Sequence, residues 1–243
     1  MRASSAETCR AHAYAIRKMR SQNSRQGCYL PPAMNHTDLA SRWTALWKQI
    51  GAIGDPNPIY QQLVAAYSEQ HRFYHNLTHL RECLMALDAS GTAPTAACIV
   101  ETALWFHDAV YDPRASENEE RSAELAAKSL RDGKVPAEVV DRVRRLILAT
   151  KTHESGGQAE QALMLDVDLS ILGSGSIRFS EYERQIRQEY SWVPLEVFVP
   201  KRIEILEKFL NRPRLFHLPW FYDRLESQAR SNLKSSLTLL KAQ

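Results

Sequence analysis

Long apolar runs are missing from this sequence, and so is the alternation that marks a strand. No stretch approaches the roughly 18 uninterrupted apolar residues of a membrane span, so none is expected. Nowhere does a β-branched alternation last five residues between turn signals, which argues against a sheet. Paired cysteines are lacking too. Cys9, Cys28, Cys83 and Cys98 form no CxxC, so neither a zinc ribbon nor a disulfide framework is expected, and a reducing cytoplasm is the expected home. Charge of one sign does not dominate. With 31 Lys+Arg against 28 Asp+Glu the formal net charge is +3, too small to imply a nucleic-acid partner. No repeat of fixed period and no low-complexity tract beyond the N-terminus is found.

What is present is helical periodicity. The chain has 243 residues, 44% of them hydrophobic, enough to fill one sizeable core. Residues 1–33 are rich in Arg and Ser, with Glu7 the only acid. That composition can mark an organellar transit peptide, but an over-long gene start or disordered tail, with Met34 as the true initiator, is the preferred expectation. From Thr37 onward the pattern predicts an all-α domain of about eight to ten helices spanning residues 34–243. Trp43, Leu46, Trp47 and Ile50 recur at helical spacing. Asn76 is a good N-cap for the helix that follows it. Ser116 to Glu119, "SENE", fits a capping box, and Gly133 a helix C-terminus. Further helices are predicted at Glu138 to Thr152, Ala159 to Leu172, Ile177 to Tyr190, Pro194 to Leu210 and Trp220 to Leu240.

Three clusters carry chemistry. "HRFYHNLTHLRECL" holds His71, His75 and His79; "ALWFHDAVYD" ends an apolar run on His107-Asp108; "MLDVDLSILG" sets Asp166 and Asp168 among apolar residues. A buried, unpaired carboxylate is very costly, and a metal ion is one standard compensation. Imidazole with carboxylate suits a divalent first-row ion, or Mg²⁺ with water completing the shell. Adjacent residues point about 100° apart on a helix, so His107 and Asp108 reach one point only where the helix ends. Each residue alone has a plainer role available: a hydrogen-bonded histidine, a turn-forming aspartate, a helix cap. Around the clusters, the guanidinium fork of Arg72 suits a phosphate. His75, four residues before His79, is a substrate contact or a support for the ligands. His153 is a proton donor to a leaving group or simply exposed. Arg187 and Tyr190 recognise substrate or pack.

The ordered set His79, His107-Asp108, Asp168 resembles the HD superfamily of metal-dependent phosphohydrolases. "YHNLTHL", "WFHDAVYDP", "NEERSAELA", "LDVDLSILG" and "RQEYSWVP" together resemble a group of small bacterial HD proteins, covering most of residues 34–243. The resemblance implies a compact HD-type helical bundle that hydrolyses a small phosphorylated substrate, with a nucleotide as one candidate. It implies metal ligands His79, His107, Asp108 and Asp168, with Asp166 the alternative for the last, and Glu119 or Glu120 orienting the attacking water. Only His153 lies between Asp108 and Asp168, so one divalent ion is expected: Mn, Mg, Co, Ni, Fe or Zn. A non-catalytic HD-fold binding module and an HD-fold metal oxygenase are the alternatives.

Overall fold

The computed structural model describes residues 36–242. The expectation for residues 1–33 lies outside them. Ten α-helices and one 3₁₀ segment make up the described chain: α1 (His36–Gln49), α2 (Asn57–Tyr67), α3 (Leu77–Ala89), α4 (Pro94–Phe106), α5 (Asn118–Asp132), α6 (Ala137–Ala149), α7 (Ala159–Asp168), the 3₁₀ segment Leu169–Gly173, α8 (Ser176–Glu189), α9 (Leu195–Leu210) and α10 (Pro219–Lys241). Among the described residues there is no strand, and no helix is long and apolar enough to cross a membrane.

The sequence explains the arrangement. α4 is apolar on nearly every side, with Val100, Ala103, Leu104, Trp105 and Phe106 all buried. A helix of that kind belongs in the centre. Accordingly α1, α3, α5, α6 and α7 all pack on it. The α1 stripe brings Trp43 against Trp105 and Phe106, with ring centroids 5.2 and 5.9 Å apart. α10 lies along the 3₁₀ segment and α9. The approach to the 3₁₀ segment is close enough that a Cβ on Gly173 would stand 2.5 Å from Leu225 Cβ.

One local expectation is corrected, and another, Gly133 at the end of α5, is met for a different reason. The Ser116–Glu119 capping box does not form. α5 begins at Asn118, whose side chain instead accepts from the Asp112 N–H at 3.0 Å and donates to the Asp112 carbonyl at 2.9 Å, closing the loop ahead of the helix. Gly133 has an ordinary φ of −72°, and the left-handed residue after α5 is Lys134, at φ 58°. Space rather than backbone freedom requires Gly133, because a Cβ there would meet the Trp47 ring at 2.6 Å. Asn76 caps α3 as expected, accepting from the Thr78 N–H at 2.8 Å.

Candidate metal centre

Three helices bring four side chains close together. His79 projects from the first turns of α3, where Leu80, Cys83 and Leu84 bury the same side of the helix. His107 and Asp108 follow the last residue of α4, and Asp168 is the last residue of α7. The helix end lets the adjacent pair converge. His107 Nε2 lies 3.2 Å from His79 Nε2, 3.1 Å from an Asp108 oxygen and 3.5 Å from Asp168 Oδ1. His79 Nε2 lies 3.2 Å from Asp168 Oδ1 and 3.6 Å from the same Asp108 oxygen. Ligand atoms bound at about 2.1 Å to one octahedral or tetrahedral ion stand roughly 3.0–3.4 Å from their neighbours. The group His79, His107 and Asp168 could therefore hold a metal ion.

Hydrogen bonding among the side chains does not satisfy the cluster. Asp108 Oδ2 is buried and has no hydrogen-bond partner. His107 Nδ1 donates to the Leu104 carbonyl at 2.8 Å, which aims Nε2 at the cluster. An orphaned carboxylate oxygen facing aligned imidazole nitrogens fits a cation. The electrostatics agree in direction. Burial alone would raise both carboxyls, but His107 beside Asp108, and His107, His153 and His79 around Asp168, hold them well below the usual carboxylate range.

Asp166 is not a ligand. Residues two apart on a helix point about 200° apart, so Asp166 and Asp168 cannot serve the same side of α7. Asp166 is fully buried and accepts from the His217 and Leu218 N–H groups at 2.8 and 2.7 Å, closing the start of α10. Arg72 is not a phosphate contact. Its side chain is 1% exposed and its guanidinium is consumed by Glu69 and by the carbonyls of His75, Asp108 and Ala109. It clamps the backbone of Asp108 to the segment before α3. Arg187 is likewise occupied, donating to the Tyr190 and Val193 carbonyls and lying 4.7 Å from the Phe198 ring. Glu120 is exposed and ion-paired with Lys151, outside the cleft, whereas Glu119 lines it.

His153 stands beside the cluster, Nε2 3.2 Å from Asp168 Oδ2. Its backbone is in the left-handed region, at φ 51°, a conformation that costs a non-glycine residue energy. Arg212 supports it by donating to the His153 carbonyl at 2.8 Å. His75 is held by a residue that sequence reasoning passed over. Glu189 Oε2 accepts from His75 Nδ1 at 2.7 Å and from the Tyr111 hydroxyl at 2.8 Å. Its Oε1 accepts from the Tyr74 and His75 N–H groups at 2.7 and 2.9 Å. The His75 ring stacks on Tyr111 with centroids 4.2 Å apart. A signal for Glu189 existed: Phe179, Tyr182 and Ile186 form the buried stripe of α8, and Glu189 falls next on it.

The cluster opens on a cleft of about 610 Å³, whose walls include His75, His153, Glu119, Lys151 and Tyr190. Compared with known proteins, the chain matches no protein-family model, no curated protein and no solved structure.

Proposed function

We propose that the chain is a metal-dependent phosphohydrolase of the HD type, acting on a small phosphorylated substrate in this cleft. The observation that carries the reading is the convergence of His79, His107, Asp108 and Asp168 around an unpartnered buried oxygen, at the floor of an open cavity. Those four side chains would hold one divalent ion. When bound, such an ion supplies Lewis-acid polarisation of a phosphoryl oxygen and acidifies water.

The chain's own groups do the rest. Lys151 lines the cleft wall in the place that sequence reasoning gave to Arg72, and an incoming phosphate would compete with Glu120 and the Ser116 carbonyl for its ammonium. Glu119, at the start of α5, has the acceptor oxygens to orient a water. His75 is fixed through Nδ1 by Glu189, so Nε2 is the nitrogen left to offer a proton to the departing alkoxide. Burial disfavours charge on this ring, but the Glu189 carboxylate beside it more than compensates and raises its pKa. A shift in that direction favours the protonated ring, which suits protonation of a leaving group.

The test is metal analysis of the purified full chain, followed by a phosphate-release screen against a broad ester panel with Mn²⁺, Mg²⁺, Co²⁺ and Ni²⁺. Release should require a divalent ion and fall to the solution background in Asp108→Ala. Turnover that survives Asp108→Ala unchanged would place the chemistry elsewhere. A protein that binds phosphorylated ligands with any of these ions but releases no phosphate would be a binding module.

A further inference from the structure

The cleft wall has two chemically distinct parts. One is polar: His75, His153, Asn118, Glu119, Ser116 and Lys151. The second, built from the turn after α8 and from α9, presents Trp192, Val193, Val197, Phe198, Ile205 and Phe209, with the Phe209 ring 6.1 Å from that of His153. We propose that this second stretch of wall is a subsite for the organic part of the substrate, and that this part is an apolar hydrocarbon group, so that the substrate is the phosphoester of a hydrophobic alcohol. The proposal rests on the phosphohydrolase reading and names the substrate class for the same site.

Three observations carry it. The first is size. A cavity of about 610 Å³ is in the range that encloses a whole organic ligand, far more than a phosphoryl group needs. The second is the state of the apolar side chains. Trp192, Val197 and Ile205 line the cleft yet remain 46%, 51% and 46% exposed. Scattered exposed apolar residues mean little, but three around one mouth leave a connected surface to be covered. The third is the commitment of the polar groups along that stretch. Arg202, the buried cation there, donates to Tyr182 and is ion-paired with Glu183, while Lys201 stands in solvent beside Glu204. The Tyr190 hydroxyl is engaged with that of Tyr111. Little is left there to read the hydroxyls of a sugar or the edge of a base, because such groups would lose water without gaining partners.

The aromatic part of this wall is also held in place. Arg114 lies 5.1 Å from the Trp192 ring, Arg187 4.7 Å from Phe198 and Arg212 4.8 Å from Phe209. None of the three arginines is part of the cleft wall. The rings are thus braced from outside, leaving a formed surface rather than a collapsible one, which lowers the ordering cost of binding.

Binding of n-butyl, n-hexyl and n-octyl phosphonate to the Mn²⁺-loaded full chain, measured by calorimetry, tests this without requiring turnover. Affinity should rise with chain length, up to about fourfold per methylene for a fully buried chain. Glucose 6-phosphate should bind more weakly than any of the three. Val197→Asp and Ile205→Asp place a charge on the apolar wall at half-exposed positions and should flatten the series. Asp in the first turn of α9 is compatible with the helix, and circular dichroism confirms the fold of both variants. Ile177→Asp, at a residue 87% exposed and outside the cleft, should leave the series unchanged. A flat series in the wild type, or one that persists undiminished in both cleft variants, overturns the subsite. A rising series in a protein that hydrolyses no ester would leave the subsite standing and remove the phosphohydrolase reading instead.

Discussion

Two regions of this molecule bury carboxylates, and they do so in opposite ways. In the loop from Asn211 to Leu218, Glu226 accepts from the Leu215 and Phe216 N–H groups at 2.9 and 3.2 Å and from Arg230 Nε at 2.7 Å. Asp166, beside it, accepts from His217 and Leu218. Backbone donors meet these oxygens, so the acids fasten a loop that would otherwise bury unpaired amides. At the ends of α4 and α7, the acids meet imidazole nitrogens instead: Asp168 Oδ1 lies 3.2 Å from His79 Nε2, and Asp108 Oδ2 3.1 Å from His107 Nε2. Asp166 and Glu226 are enclosed, whereas Asp108 and Asp168 keep some exposure toward the cleft. The identity of the donor separates a carboxylate that holds the chain from one arranged to hold something else.

The largest expected effect breaks the second region. Mn²⁺ at about 100 times its Kd should add roughly 2.7 kcal/mol of stability to the wild type. For a domain of this size that is a rise of about 5–11 °C in Tm. Asp108→Ala and Asp168→Ala should show no such rise in a thermal melt with and without the ion. A full shift in Asp168→Ala would erase the distinction drawn between the two regions.

The next effect breaks the first region. Glu226→Ala removes the partner of Arg230 and leaves the Leu215 and Phe216 amides unmet, a loss of about 3–5 kcal/mol when a buried charged pair is broken. Denaturant unfolding should show that loss, while the Mn²⁺-dependent rise remains. Loss of the Mn²⁺ response in a variant that is still folded would mean that the loop, too, belongs to the site.

Arg72→Met sharpens the comparison, because Arg72 joins carbonyls to a ligand without being one. Its side chain is buried, so methionine keeps much of the packing but drops the donors to Asp108 and Ala109. Loss of such a support costs a site about 10- to 100-fold in metal affinity. Titration with Mn²⁺ should show weakened rather than absent binding; unchanged affinity would make the clamp purely structural.

The all-α class and most helix positions were legible because period and caps are local. The Trp43 to Ile50 stripe and the Asn76 cap need only their neighbours. The convergence of His79 with His107-Asp108 was legible from the ordered set and the resemblance it carries, since each residue alone had a plainer role available. What escaped depends on partners far along the chain. Nothing near Arg72 reveals that its acceptors lie 36 and 37 residues away. In the block Arg187 to Pro194, sequence reasoning weighed Arg187 and Tyr190 and passed over Glu189, since an acid at a helix end reads as solvated. Its partner His75 is 114 residues distant, and only the α8 stripe hinted that Glu189 faces inward. The pair Asp166 and Asp168 could be split by helical geometry, but which one faced the histidines depended on how α7 packs.

The smallest effect concerns the same pair and is a matter of sign. Burial raises the Asp166 carboxyl from 3.8 to about 6, outweighing the His217 and Leu218 N–H groups that favour the charged form. The folded state therefore binds a proton that the unfolded chain has already released between these values. For an acid shifted upward, the stabilising contribution is full below the ordinary aspartate pKa and is lost as pH rises through about 6. Asp166→Asn cannot titrate. The stability difference between wild type and this variant should therefore drift against the wild type by up to about 1.4 kcal/mol per pH unit between roughly pH 4 and 6. It should be level above about pH 7. Urea unfolding across that range, with a chelator present so that no ion contributes, measures it directly. Parallel curves would mean that the backbone donors fully offset burial, making Asp166 a plain helix cap. A drift in the opposite direction would mean that they overcompensate, and that the Asn211–Leu218 loop is fastened by a charge rather than by a largely neutral acid at low pH.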